Sequence, residues 1–519
     1  MAPWLTILIL VPLVGAVALA LLPGKPGSGL PRQFALGVSL LTLVLTIVVA
    51  AGFDAGGGFQ YVEDHTWIRS FGAHYALGVD GIGLSLVVLT ALLAPVVMLA
   101  SWNDGDALTG AAAGLRPEPR WSSRAFFAWM LALEGLAIGV FAATDLVLFY
   151  VFFEATLIPI YFLVAGWGGH DRSRAALKFL IYSLVGGLIM LASVVGLYVQ
   201  SAKAGPPSYL ISDLANLDIS TNAGRWLFAG FFIAFAIKAP MFPVHTWLPD
   251  TTEQATPGTS VLLVSILDKI GTFGMIRFCL GIFPEASTWA TPFVIVLALI
   301  SIIYGALVAI GQNNISRLIA FTSVSHFGLI VLGIFVMNPQ GQVGANLYMF
   351  NHGLSTAALF LVTGFLITRR GSALISDFGG VEKVAPVLAG LLLVSGLSSL
   401  SLPGLSPFVS EFLVLVGAFK YSAWVAALAV PAIVLAALYI LLMYQRTMTG
   451  PLREHSASIT DLVPREVLAI APVMVLIVLL GFWPKPLTTV LNPAVDATLS
   501  HVGVSPAAPA VDATEGSQQ

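Results

Sequence analysis

Eight ionisable side chains stand inside long apolar runs of this sequence: Glu134, Glu154, Lys238, Asp268, Lys269, His326, His352 and Glu411. Glu154 interrupts a run of Phe152, Phe153, Ala155 and Leu157, and Lys238 follows Phe235, Ala236 and Ile237. A charge at the centre of a spanning helix costs roughly 2.5–3.5 kcal/mol, so those that remain face protein or water and mark a path for ions or protons. Carboxylate, amine and imidazole are the groups that pass protons on. An acid near an amine governs the amine's hold on its proton, and imidazole titrates near neutrality. The expected chemistry is therefore proton transfer, carried by Glu154, Lys238, Lys269, His326, His352 and Glu411. Glu134, His245 and Asp268 are secondary candidates. His245 is expected at the end of a span near water, and Asp268, about 100° round a helix from Lys269, as a local counter-charge. The competing reading for each is structural: a buried charge that pairs with a neighbour and locks helices, or a satisfied core histidine. Redox and metal chemistry find no support. A single cysteine, Cys279, cannot hold an iron–sulfur cluster, no G-x-G-x-x-G loop follows a strand, and His326 and His352 lie on different helices with nothing further to mark a haem site. No cofactor or metal site is expected on this chain.

The elements that must carry these groups follow from composition. Of 519 residues, 58% are hydrophobic and 9% charged, and the mean hydropathy is +0.93. Soluble domains carry roughly 25% charged residues, so a soluble enzyme with one appended anchor is excluded. The net charge of −3 offers nothing to a nucleic acid. Windows of about 20 apolar residues, the length that crosses a bilayer, lie near 3–22, 33–53, 81–101, 125–142, 144–166, 175–199, 226–247, 256–281, 290–311, 315–337, 342–367, 387–420, 424–446 and 465–483. The fold class expected is an all-α polytopic membrane protein of about 14 transmembrane helices. Met1-Ala2-Pro3-Trp4 lacks the positive leader of a signal peptide, so the first window reads as a retained span. With the N-terminus outside, 15 Lys and Arg fall in cytoplasmic loops, among them Lys25, Arg116, Arg172, Arg317 and Arg369, against 6 on the outer side. This bias predicts both termini outside. A polar tail after about residue 490 is expected to be loosely ordered and outside the membrane.

Two spans are broken. One reads Lys238-Ala239-Pro240-Met241-Phe242-Pro243-Val244-His245, and the other passes through Ser398–Pro407 with Pro403, Gly404 and Pro407. Irregular backbone at membrane depth lines a cavity or is buried in protein. Spacing adds a repeat: Glu154 to His326 is 172 residues and Lys238 to Glu411 is 173. A period of five helices reverses direction, so the halves are expected to be inverted repeats. The division predicted is N-terminal helices 1–3 in 1–124, one five-helix repeat in 125–281, a second, inverted one in 290–446, helix 14 in 465–483 and the tail 490–519. The broken spans are helices 7 and 12.

Longer motifs then match a known family. Lys238-Ala239-Pro240, His245-Thr246-Trp247-Leu248-Pro249-Asp250, Ser260-Val261-Leu262-Leu263 and Lys269-Ile270-Gly271 resemble the antiporter-like subunits of respiratory complex I. So do Phe153-Glu154, Pro159, Ser323-Val324-Ser325-His326, Asn351-His352-Gly353 and Ser406-Pro407-Phe408-Val409-Ser410-Glu411, over about 80–483. The resemblance implies a proton-translocating subunit of NADH:quinone oxidoreductase with a polar axis through Glu154, Lys238, Lys269, His326, His352 and Glu411. It implies other membrane subunits as partners, including neighbouring antiporter-like chains, and places NADH, flavin, iron–sulfur clusters and quinone on partner subunits. Related chains of cation/proton antiporters usually carry lysine where Glu411 stands, so the glutamate is similar to the complex I branch. A subunit of a multi-subunit cation/proton antiporter is the alternative, and a membrane scaffold without transport the third reading. One departure stands out: after Leu248-Pro249-Asp250 this chain reads Thr251-Thr252-Glu253-Gln254-Ala255-Thr256-Pro257, where many relatives carry a histidine.

Overall fold

A computed structural model describes residues 2–22 and 29–504. Lys25, counted above among the cytoplasmic cations, and the end of the tail, 505–519, lie outside the described residues. Within them, 12 helices are long and apolar enough to cross a membrane. Three are buried throughout their apolar windows, Pro257–Leu280, Ile315–Phe335 and Pro339–Arg370, and form the centre of the bundle. Helices such as Leu30–Ala51, Arg172–Ala204 and Ala423–Met448 leave most of their apolar surface outward, as the perimeter of a membrane bundle does. Close packing at the centre depends on small residues. A Cβ on Gly328 would come within 2.8 Å of the Ala298 carbonyl, and one on Gly305 within 2.7 Å of the Ser325 amide.

The interruptions have local causes. After Thr221–Lys238 the chain leaves helical geometry at Ala239 and re-enters it at Trp247–Gln254. The carbonyl that Met241 and its neighbouring prolines leave free, that of Ile237, accepts from the Trp247 indole at 3.0 Å. The second break separates Pro386–Ser399 from Ser406–Tyr421. There Ser401 has φ 59° and Gly404 φ 92°, left-handed backbone that only the glycine adopts freely. A third break was not foreseen in the sequence: the window 144–166 divides into Leu146–Ala155 and Leu157–Trp167. Pro159 has no N–H for the Ala155 carbonyl, so the ladder fails directly after Glu154.

Besides a bridge between Leu77 and Ala143, two antiparallel bridges bind the bundle at different ends. Asp145 pairs with Leu210, with Leu146 N to Tyr209 O at 2.9 Å and Ile211 N to Thr144 O at 3.0 Å. Asn314 pairs with Leu374 in the same pattern, Ile315 N to Ala373 O at 2.9 Å and Ile375 N to Asn313 O at 2.7 Å. Each bridge residue also caps the helix that follows, Asp145 through Val147 and Leu148 and Asn314 through Arg317. The loops assigned by charge to one side bond to one another: Arg172 to the Glu118 carbonyl, Asn314 to Glu253, Arg453 to the Ser376 carbonyl and Arg369 to Glu466. The opposite end gathers His74 with Asp145 and Asp80 with Arg277.

Outside the helices, Gln60–Ile68 and Ala73–Val79 form an antiparallel hairpin. Its Glu63 carboxylate accepts from the Leu5 amide at 2.8 Å and the Thr6 amide at 3.3 Å, satisfying free donors at the start of Trp4–Leu21. The expected loose tail is corrected over its first part. Lys485–His501 is a helix, because Leu491, Val495 and Leu499 recur on one face and are buried. Gly81 lets it dock, since a Cβ there would meet the Val490 carbonyl.

Candidate functional site

The three central helices bring Lys269, His326 and His352 together. Pro257–Leu280 contains two wider π turns, Leu262–Leu267 and Met275–Leu280, on either side of Asp268–Gly274. Such turns free backbone carbonyls, and the ammonium of Lys269 donates to one of them, Val264 O, at 2.8 Å. The same nitrogen lies 2.7 Å from His352 Nδ1 and 4.9 Å from the centre of the Phe327 ring. His352 Nε2 reaches Thr356 Oγ1 at 3.1 Å, one turn along its own helix. The His352 and His326 rings stand edge to face with centroids 5.2 Å apart.

From His326 the chain of polar groups continues through two tyrosines. The Tyr439 hydroxyl lies 3.5 Å from His326 Nε2, and the Tyr348 hydroxyl donates to Glu411 Oε2 at 3.5 Å. The Tyr348 ring centre is 5.9 Å from that of His326. Asn351 fixes the start of the Ser406–Tyr421 helix beside it, donating to the Ser406 carbonyl at 2.7 Å and to Ser410 Oγ at 3.3 Å. Lys269, His352, His326 and Glu411 are all at most 5% exposed.

Glu154 and Lys238 are arranged differently. Lys238, 1% exposed, has no hydrogen-bond partner for Nζ and sits over the Phe153 and Phe179 rings at 5.1 and 5.9 Å. Glu154 Oε1 is also buried without a partner. The carboxylate rests on Gly187 of Arg172–Ala204, where a Cβ would lie 1.6 Å from Oε1. The two residues do not form an ion pair within 4.0 Å.

The secondary candidates divide. Glu134 accepts from Ser39 Oγ at 3.1 Å and ties Ser123–Ala142 to Leu30–Ala51, away from the central helices. His245 is not at a wet span end. It is 2% exposed, packed against Phe242, Tyr304 and Phe321, with neither ring nitrogen bonded. The cause is the fold-back of 239–246, which turns the residue into the bundle instead of continuing outward. Asp268 is fully buried and both its oxygens lack partners.

Sequence reasoning missed Tyr348, Tyr439, Thr356 and Gly187. Tyr348 and Thr356 stand four residues either side of His352 and so share its helix face, a signal that was present. Nothing in the sequence pointed to Tyr439 or Gly187. A cluster of Asp250 with Lys178 at 2.6 Å and Arg317 at 2.7 Å, extended by Glu253 to Arg317 at 2.8 Å, was also unforeseen. It borders a cleft of about 230 Å³ lined by Asp104, His170, Glu253, Thr256 and Asn314.

A helical membrane bundle with interrupted helices and a buried acid–amine–imidazole series defines the antiporter-like class of integral membrane proteins. Residues 143–436 match the family described as NADH:quinone oxidoreductase/Mrp antiporter, TM, and the chain belongs to that family. It is 51% identical to NADH-quinone oxidoreductase subunit M of Mycobacterium tuberculosis, covering 98% of this chain and 96% of that one. It is 37% identical to subunit M of Rhodobacter capsulatus, over 95% of each chain, and 36% identical to NADH-ubiquinone oxidoreductase chain 4 of Arabidopsis thaliana, over 95% and 96%. Among solved structures it resembles a chain of respiratory complex I from Thermus thermophilus with bound NADH, with TM-score 0.85, 32% identity and coverage of 96% and 100%. The Mrp complex from Dietzia sp. shares the fold, with TM-score 0.82 at 21% identity over 97% of this chain and 100% of that one.

Proposed function

We propose that this chain is a proton-translocating, non-redox membrane subunit of an NADH:quinone oxidoreductase, moving protons from the cytoplasm to the outside. The observation that carries this reading is the buried series Lys269, His352, His326, Tyr348 and Glu411, joined by polar contacts at its two ends and by neighbouring rings at His326, with Glu154 and Lys238 beside its inner end. NADH, flavin, iron–sulfur clusters and quinone belong to partner subunits, and neighbouring antiporter-like chains flank this one in the plasma or inner membrane. Both termini face outside, in keeping with the loop charges. Fourteen spans follow when the two helices broken at 239–246 and 400–405 are added to the 12 that are long and apolar enough by themselves. The inverted five-helix repeats are supported by the matched bridges at Asp145 and Asn314, which close equivalent helix pairs from different ends of the bundle.

The switch is the Glu154–Lys238 pair. An ionised carboxylate a few Å away favours the charged lysine, and its withdrawal lets burial expel the proton. A proton affinity that swings by three to four orders of magnitude releases roughly 4–5 kcal/mol. Moving one charge against 100 mV takes about 2.3 kcal/mol, so the swing is sufficient. The expelled proton passes to Lys269, along the imidazoles and leaves by Glu411.

Glu154→Gln or Lys238→Ala is expected to abolish this chain's pumping while the complex still assembles on a native gel with NADH dehydrogenase activity. Pumping at the wild-type ratio of protons to NADH in either assembled variant would refute the assignment. Migration apart from NADH dehydrogenase activity would favour the cation/proton antiporter reading, against which Glu411 stands.

A further inference from the structure

Asp268 is the one fully buried acid in the central helices that the path above does not use. Its position follows from helix geometry. Residues three apart share a face, and Gly271, three after Asp268, lies so near the end of Thr221–Lys238 that a Cβ would stand 2.6 Å from Phe235 O and 2.5 Å from Ala239 N. The Asp268 face is thus the one laid on the turn that ends in Lys238. Lys269, about 100° further round, belongs to the other face. Its nitrogen meets His352, and Thr272, three residues on, donates to Met349 Sδ at 3.0 Å on the same Pro339–Arg370 helix. One turn therefore offers an acid to Lys238 and an amine to the histidines. A locking counter-charge would be held by hydrogen bonds, because a buried carboxylate without them is costly. Asp268 makes none.

We propose that Asp268 is a proton carrier between Lys238 and Lys269, joining the switch half of the path to the relay half. The inference rests on the proton-path reading above. In the step, an N–H bond of the Lys238 ammonium breaks and an O–H bond forms on the Asp268 carboxylate. That O–H bond then breaks as an N–H bond forms on the free amine of Lys269. One proton moves, no electron does, and Asp268 ends as it began.

The test uses membrane vesicles carrying the whole complex, driven by NADH, with proton uptake followed by a pH-gradient dye and NADH oxidation measured in parallel. Asp268→Asn keeps the shape and removes the proton site, and its pumping is expected to fall by about tenfold or more, the usual scale for losing a proton-transfer group. Asp268→Glu restores the site and is expected to regain most of the loss. Lys269→Ala serves as the reference and is expected to fail. Wild-type pumping in Asp268→Asn with failure in Lys269→Ala overturns the carrier role alone. Wild-type pumping in Lys269→Ala overturns the proton path itself. Equal losses in the Asn and Glu variants mark a packing role and also overturn the proposal. If Asp268→Asn does not assemble, Asp268→Ser stands in for it with the same outcomes.

Discussion

The two halves of the polar series hold their charges in opposite ways. Along the series from Lys269 most groups have a neighbour in reach, a carbonyl freed by a π turn, His352 at 2.7 Å, then an imidazole and two tyrosine hydroxyls before Glu411, while Asp268 and His326 Nδ1 make no hydrogen bond. Around Lys238 there are aromatic faces and a glycine, and neither Nζ nor Glu154 Oε1 has a partner. A group held by fixed hydrogen bonds keeps one environment, which suits passing protons at equilibrium. A group without them has an environment set by one nearby charge, and so can be switched by moving that charge. The backbone agrees: helix breaks follow both Glu154 and Lys238 directly, whereas Ile315–Phe335 and Pro339–Arg370 run unbroken past His326 and His352.

This contrast is easiest to break at Gly187. Its Cβ position is occupied by the Glu154 carboxylate, so Gly187→Ala should displace the acid and lower pumping by about tenfold, the order lost with a misplaced proton-transfer group. Adding Glu154→Asp, a shorter acid, should recover part of that loss in the same vesicle assay, a coupling that unrelated damage would not give. Glu411→Lys comes next. It imitates the antiporter relatives and is expected to keep about half of the pumping, because the tyrosine hydroxyl that donates to the acid can accept from an amine. Complete loss would show that the exit group is not interchangeable. Tyr439→Phe removes a contact at the 3.5 Å limit of hydrogen bonding, so a decrease of about twofold or less is expected. A loss as large as that of Gly187→Ala would place the main route through Tyr439 rather than Tyr348.

The smallest effect lies outside the membrane. Burial alone would raise the Asp461 carboxyl, but the amides of Val387, Leu462 and Leu388 donate to it and hold it below the usual carboxylate range. Two of these amides, at 2.9 Å, begin the Pro386–Ser399 helix. Asp461→Asn keeps one accepting oxygen but removes the charge, and should cost roughly 0.3–1 kcal/mol at neutral pH, the usual worth of a negative charge at a helix N-terminus. Because the folded carboxyl is the stronger acid, its contribution is present above the unfolded value near 4 and fades as pH falls through the lower folded one. Thermal melts of the two proteins should therefore converge in strong acid, and a constant difference would contradict the charge-based account.

The buried ionisable groups of the candidate site were legible because charge is scarce here. With 9% charged residues, each ionisable group inside an apolar run stood out, and proline pairs marked the breaks at 239–246 and 400–405. The third break was readable in principle, since Pro159 lies four residues after Ala155, but a lone proline in a membrane helix is too common to be a signal. His245 was misjudged because a hydropathy window follows the chain outward and cannot see it fold back. The helix Lys485–His501 was read as a loose tail since it is too short and polar to span, although its apolar face needed only a partner, which Gly81 and its helix provide.

Composition and periodicity by themselves determined that this chain crosses a membrane many times, and which acids, amines and imidazoles lie at depth, because hydrocarbon penalises each such group strongly enough to leave a mark in the sequence. Which of them meet was decided by tertiary packing alone. The order Lys269, His352, His326, Tyr348, Glu411, the seat of Glu154 on Gly187, and the different neighbours that Asp268 and Lys269 face all depend on distances between helices far apart in the chain. Small residues set those distances by permitting close approach, and no local pattern records them.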